Sequence, residues 1–196
     1  QPDPGIIAEA VSVLARGELV VIPTETVYGL AADPRVPGAV EKIYGAKERA
    51  ESKPVAFLAA DTEQIAARGA VMEPAAVRLM RRFWPGPLTL VLKTPAGFVG
   101  FRVPDYPVAL SLLWRAKSVL AVTSANRSGD TPALTAEQAA EALRDRVALV
   151  LDAGESPGGV PSAVVKVDGD SVSVLREGAI RRDEILRVAG VGGLTS

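Results

Sequence analysis

Two hydrophobic rhythms alternate along this chain, one spaced for helices and one for short buried strands. Ile6, Ala10, Val13 and Leu14 share a helical face behind Asp3 and Pro4, an N-cap and first-turn proline, until Gly17 supplies the stop. A strand over residues 19–22 follows, and then a short helix opened by Pro37 with Val40, Ile43 and Tyr44 inward. Residues 47–52 are too polar for a core and read as a connection, whereas 55–58 is the next buried strand. Helical spacing recurs over 62–68, 74–83, 107–115 and 135–143, where Thr135 and Gln138 suit a capping box. The apolar runs 88–92, 98–103, 119–122, 147–151, 163–167 and 172–175 are short and rich in β-branched residues, as strands are. The pattern predicts a mixed sheet of the α/β or α+β class.

The most informative stretch is residues 20–30, V-V-I-P-T-E-T-V-Y-G-L, in which an oily strand ends abruptly in hydroxyls and a carboxylate. Ligands of open α/β sheets gather beyond the carboxyl ends of strands, so chemistry is expected there. No internal repeat is visible, and the Gly/Pro segments 156–161 and 190–196 read as a loop and a frayed tail. With 196 residues and 48% hydrophobic content, the expectation is one domain over 1–196.

The 22 basic and 23 acidic side chains give a net charge of -1, so any anion site must be local. Cysteine and histidine are both absent, which excludes disulfides, thiol nucleophiles, Cys/His zinc sites and imidazole proton shuttles. No apolar stretch approaches the roughly 20 residues that cross a bilayer, and no hydrophobic signal core is present near the N-terminus. A cytoplasmic protein with no membrane association is expected.

Lys47, Arg49 and Lys53 place three cations close together, a spacing able to wrap a polyphosphate with one fork and two mobile point charges. Taken alone, such a cluster reads first as a solvated face. In the run V-T-S-A-N-R-S-G over 122–129, another strand ends in small polar residues that can cradle phosphate, although ordinary turns use the same residues. The Walker pattern G-x-x-x-x-G-K-[ST] is absent. Arg102, Ser162 and Arg176 interrupt apolar surroundings beside strand ends, where each by itself reads as a structural ion pair or turn residue. Trp84-Pro85-Gly86-Pro87 is a rigid aromatic turn, with packing favoured over base stacking. Glu25 is suited to a metal, an amine or a neighbouring hydroxyl, and with no second acid at paired-carboxylate spacing it is not assigned as a general base. Tyr28 is expected over the pocket.

In order along the chain, P-T-E-T-V-Y-G-L, Lys47-x-Arg49 with Lys53-Pro54, W-P-G-P-L-T, R-V-P, S-A-N and L-R-E-G resemble the YrdC/TsaC-type threonylcarbamoyl-AMP synthases. The resemblance runs from Pro23 to Gly178. It implies a twisted open mixed sheet flanked by helices, with a basic concave pocket. It also implies a reaction joining L-threonine, bicarbonate or CO2, and ATP into threonylcarbamoyl-AMP with release of pyrophosphate, in a short form of the enzyme. Downstream, a tRNA threonylcarbamoyltransferase complex uses the product to make N6-threonylcarbamoyladenosine; direct tRNA contact is left open.

By position, the resemblance assigns Thr26 to threonine and Lys47, Arg49 and Lys53 to the ATP phosphates. Ser124 and Asn126 complete the nucleotide cradle, Arg176 also serves ATP, and Ser162 with Arg102 fixes the threonine or carbamate carboxylate. Lys47, Arg49, Ser124 and Asn126 are the expected catalytic set. Three positions depart from the pattern: Ala50 stands where proline is usual, Ala163 where threonine is frequent, and Leu58 where some members place a threonine-contacting histidine. Nucleotidyl transfer depends on positioning and charge neutralisation, so Lys, Arg, Ser and Asn with Mg2+ carried on ATP are chemically adequate, and no protein metal ligand is assigned. The rival expectations are a double-stranded RNA or tRNA-binding module without synthase activity, whose binding would fall steeply with salt, and a YrdC-like enzyme with other carbamoyl or nucleotide chemistry.

Overall fold

Among the described residues nine strands join in one mixed sheet, and the helices cover its two faces unequally. The structure is a computed structural model and describes residues 2–48, 50 and 54–191. In chain order the elements are α1 (Pro4–Ala15), β1 (Val20–Ile22), β2 (Gly29–Ala32), α2 (Ala39–Lys47), β3 (Ala56–Leu58), α3 (Thr62–Ala66), α4 (Pro74–Phe83), β4 (Leu88–Thr94) and β5 (Gly97–Arg102). There follow α5 (Pro107–Ala116), β6 (Leu120–Ser124), α6 (Ala136–Leu143), β7 (Leu149–Val150), β8 (Ala163–Asp168), β9 (Ser171–Arg176) and α7 (Arg182–Ala189). The strand order is β7-β1-β2-β6-β3-β5-β4-β8-β9. The pairs β1/β7, β3/β5 and β4/β8 are parallel and the other five antiparallel, so the predicted open mixed sheet flanked by helices is what the chain forms.

Alternation along the strands sorts the core. One face presents Val21, Leu30, Ala32 and Ala121 to α2 and α6, and Leu90, Phe101 and Val165 to α4 and α7. On the opposite face Val20, Ile22, Ala31, Leu58, Leu120 and Val122 meet α1 and α5. That second cover stops near β3. Beyond it the same face continues through the registered pairs Leu58↔Arg102, Val91↔Gly100, Thr89↔Val164 and Val164↔Arg176, whose members line a hollow.

Local signals start α1 and α6 as expected, whereas α2 begins at Ala39 behind a left-handed Gly38, two residues after the Pro37 expected to open it. The Asp3 carboxylate accepts the Gly5 N–H at 2.7 Å, and the Thr135 hydroxyl accepts the Gln138 N–H at 3.3 Å while the Gln138 side chain takes the Leu134 N–H at 2.8 Å. Trp84 packs against the core, its indole donating to Leu88 O at 2.6 Å, in keeping with the packing role.

Other expectations give way. Ile6 is 49% exposed and Ile7 takes the inward position, because both fit a helical period and only the contact with α5 chooses between them. The strand after Gly17 is not followed directly by a helix: β2 intervenes, a Gly-Leu-Ala-Ala segment of weak strand propensity held by β1 on one side and β6 on the other. The run 147–151 shortens to Leu149–Val150, paired only with β1. Helix α7 was missed, although Asp183 and Glu184 in its first turn and Gly190 as C-cap are ordinary helix signals. Most of the expected tail lies outside the described residues.

Leu90 is fully buried between β5 and β8. Leu90→Ala is expected to cost about 3 kcal/mol, the usual range for such a cavity, read as a lower urea midpoint at unchanged slope.

Candidate active site

After β1 the backbone leaves the sheet through Pro23 and is turned by Thr24. The Thr24 hydroxyl donates to Val27 O at 2.6 Å and accepts the N–H groups of Thr26 (3.2 Å) and Val27 (3.3 Å). Because a hydroxyl has one proton, the 3.0 Å contact between the Thr24 and Thr26 oxygens carries the proton of Thr26. Arg102 Nη1 donates to Thr26 Oγ1 at 3.0 Å. Thr26 thus has its proton committed and offers the hollow an acceptor.

The loop following β7 straps this turn down. Gly158 N–H donates to Glu25 O at 2.9 Å, Gly159 N–H to Thr26 O at 3.0 Å, and the Ser156 hydroxyl to Thr24 O at 3.0 Å. A Cβ on Gly158 would lie 2.5 Å from Glu25 O, so the approach requires glycine. Tyr28 is buried; its hydroxyl donates to Gly154 O at 2.6 Å, and burial pushes the phenol above its ordinary pKa.

Two guanidinium groups share the hollow. Arg102, at the end of β5, donates from Nε to Gly86 O at 3.1 Å, and its Nη2 lies 2.6 Å from Glu25 Oε1. This last approach is a charge contact without hydrogen-bond alignment, since both Glu25 oxygens and Arg102 Nη2 have no hydrogen-bond partner among the described residues. Arg176, at the end of β9, donates to Ser162 O from Nε (3.2 Å) and Nη2 (2.8 Å), and Nη2 also reaches Ser162 Oγ at 3.3 Å. The Ser162 and Thr89 hydroxyls are 2.8 Å apart. Burial, and secondarily the charge of Arg102, pull the pKa of Arg176 down. Among the described residues no carboxylate pairs with Arg176. A cation that lines a hollow with no carboxylate of its own beside it is a place for an anion.

Lys47 corrects the sequence reading. It is the last residue of α2, not part of a solvated connection, and is 1% exposed. Its ammonium donates to the carbonyls of Ser124 and Asn126 and to Asn126 Oδ1, which compensates the buried charge beneath the turn after β6. Asn126 Nδ2 donates onward to Arg127 O at 2.9 Å and Asp130 O at 2.7 Å, and Ser128 N–H returns to Lys47 O at 3.0 Å. Helix and turn are thereby locked together.

Thr26, Arg102, Ser124, Asn126, Ser162 and Arg176 all line one cavity of about 380 Å³. That volume lies within the usual range for small-molecule sites, roughly 300–1,000 Å³. Lys47 sits behind its wall, while Arg49 and Lys53 fall outside the described residues. Asp130 is the single acidic residue among the described lining. Leu58 and Val122 give it an apolar part. Sequence reasoning missed Thr24, Thr89 and Gly158; the first two are hydroxyl partners of assigned residues, and only the small residue at 158 hinted at close backbone approach.

A mixed sheet with one half-open face, bearing hydroxyls and two guanidinium groups, defines an α/β protein with an anion-binding hollow. The family model Sua5/YciO/YrdC, described as "Telomere recombination", matches residues 12–178. A Mycobacterium tuberculosis protein named putative threonylcarbamoyl-AMP synthase is 40% identical, the alignment covering 94% of this chain and 89% of that protein. Threonylcarbamoyl-AMP synthase of Bacillus subtilis is 38% identical over 94% of this chain, which spans only 56% of that relative's length. A crystal structure of Sua5 from Pyrococcus abyssi complexed with L-threonine superposes with TM-score 0.92 at 34% identity, over 97% of this chain and 59% of that one. The chain belongs to the Sua5/YciO/YrdC family.

Lys47→Ala is expected to leave buried carbonyls without their donor and to cost about 2 kcal/mol of stability. Thermal unfolding checks this, and an unchanged melting temperature would contradict the stapling role.

Proposed function

We propose that this chain is an L-threonylcarbamoyladenylate synthase, a nucleotidyltransferase that converts L-threonine, bicarbonate or CO2, and ATP into threonylcarbamoyl-AMP and pyrophosphate. The observation that carries the reading is Arg176, a cation with no acidic partner among the described residues, which lines with Arg102 a hollow that also offers the Thr26 acceptor. The names of the relatives and the threonine held by the Pyrococcus abyssi protein support it.

In this reading the threonine amine donates a hydrogen bond to Thr26 and attacks CO2, forming the N–C bond and losing a proton. A carbamate oxygen then attacks the α-phosphate, and the bond to the β-phosphate breaks as pyrophosphate leaves. Arg102 and Ser162 hold the threonine or carbamate carboxylate, charge-assisted hydrogen bonds being the strong ones. Arg176, Ser124 and Asn126 hold the nucleotide. Arg49 and Lys53 are assigned to the ATP phosphates by resemblance; Lys47, which the resemblance also puts there, lies behind the wall and braces the turn that presents Ser124 and Asn126. The reaction needs no protein nucleophile; alignment and charge neutralisation supply the acceleration.

Among the described residues no group of three acidic side chains is available to cage a metal. Hydroxyls and carbonyls of the wall suit an ion that keeps its waters and travels on phosphates, so magnesium would enter with ATP and supply charge neutralisation there. No described helix is long and apolar enough to cross a membrane. A cytoplasmic setting, with hand-over to a tRNA threonylcarbamoyltransferase complex, completes the proposal.

Pyrophosphate release is expected only when ATP, magnesium, threonine and bicarbonate are all present, with threonylcarbamoyl-AMP identified by mass spectrometry. Salt-sensitive RNA binding without turnover would sink the reading. Thr26→Val, which removes the acceptor at nearly constant size, is expected to raise the threonine KM about tenfold or more while leaving the ATP KM unchanged; steady-state kinetics in each substrate test this.

A further inference from the structure

Glu25 carries a charge that none of the steps above uses. Its side chain is 15% exposed and that of its ion-pair partner Arg102 is 8% exposed. Neither carboxylate oxygen has a hydrogen-bond partner among the described residues, and both are shut off from solvent. A carboxylate in that state is costly unless a countercharge compensates it, and Arg102 Nη2 at 2.6 Å supplies that countercharge. Glu25 does not itself line the hollow, whereas its neighbour Thr26 and its partner Arg102 do. It therefore acts from behind.

We propose that Glu25 is the positioning residue of Arg102 and, through it, of the Thr26 acceptor. The guanidinium is held at three corners by three unlike groups: Gly86 O at Nε, Thr26 Oγ1 at Nη1 and the Glu25 carboxylate at Nη2. Only Glu25 is charged. Its attraction fixes the plane in which a rigid fork can point, and it opposes the repulsion between Arg102 and Arg176. With the plane fixed, Nη1 stays on Thr26, whose proton is taken by Thr24 because Thr24 gives its own to Val27 O, and the remaining Thr26 lone pair faces the amine.

The inference rests on the threonine reading, and Glu25→Gln tests it at nearly constant shape. The threonine KM is expected to rise about ten- to a hundredfold, the scale of losing the charged partner of a buried group, with kcat and the ATP KM unchanged. In an Arg102→Gln background the same substitution is expected to add nothing. A wild-type threonine KM in Glu25→Gln, or an additive effect on top of Arg102→Gln, overturns the inference. Should Glu25→Gln fail to fold, Glu25→Asp, which keeps the charge but withdraws it by one methylene, is expected to raise the threonine KM, and a wild-type value overturns the inference. A substrate-free reading separates this from the synthase proposal: the Arg102 Nε–H resonance is expected to exchange faster with solvent in whichever of the two variants folds. Unchanged exchange overturns the positioning role whether or not the wild-type protein turns over threonine.

Discussion

The Arg102 guanidinium is the contact on which the candidate site depends. It reaches from the end of β5 to Gly86 O, Thr26 Oγ1 and Glu25, and so joins the turn after β1 to the turn before β4. These segments are far apart in sequence and make no shared strand. A single planar cation with several donors in fixed directions can set the relative position of two loops in a way that a flexible ammonium cannot. The hydroxyl chain from Arg102 through Thr26 and Thr24 ends on Val27 O, and its polarity is set there, because the one proton of Thr24 goes to that carbonyl.

Unequal cover makes room for that contact. Helices occupy one whole face of the sheet, but α1 and α5 protect only part of the other, leaving Thr89, Val91, Gly100, Arg102, Val164 and Arg176 on an open floor. Gly100 keeps the floor low: a Cβ there would come within 3.3 Å of Ala56 Cβ and Thr89 Cγ2. At the far end, Gly178 lets the chain leaving β9 pass against the backbone of residues 161–163, where any side chain would collide, and this crossing keeps Arg176 beside Ser162. At the near end, Lys47 holds the Ser124–Asn126 turn from below. The hollow is thus rimmed by turns that are each tied to the sheet by a buried polar group.

Much of this was legible along the chain. Period located α1, α4 and α6, and capping residues marked the starts of α1 and α6, because those signals are local and act through the chain's own backbone. Thr26, Arg102, Ser124, Asn126, Ser162 and Arg176 stood out as polar residues at the ends of apolar runs, and they converge on one cavity. Lys47 was misread since a lysine beside polar residues looks solvated, and its burial depends on carbonyls contributed from residues 124 and 126. β2 was invisible for a related reason: Gly-Leu-Ala-Ala becomes a strand only between two partners that supply its ladder.

What the amino-acid sequence determined by itself is the set of short elements and the chemical inventory: no thiol or imidazole, and hydroxyls, amides and cations gathered at strand ends. Tertiary structure alone decided which cations are partnered. Arg102 is neutralised by Glu25, Lys47 is buried on carbonyls, and Arg176 faces Arg102 with no described carboxylate beside it. The physical reason is range: periodicity and capping are set by neighbours a few residues away, whereas burial and charge pairing are set by whatever segment the sheet order brings alongside.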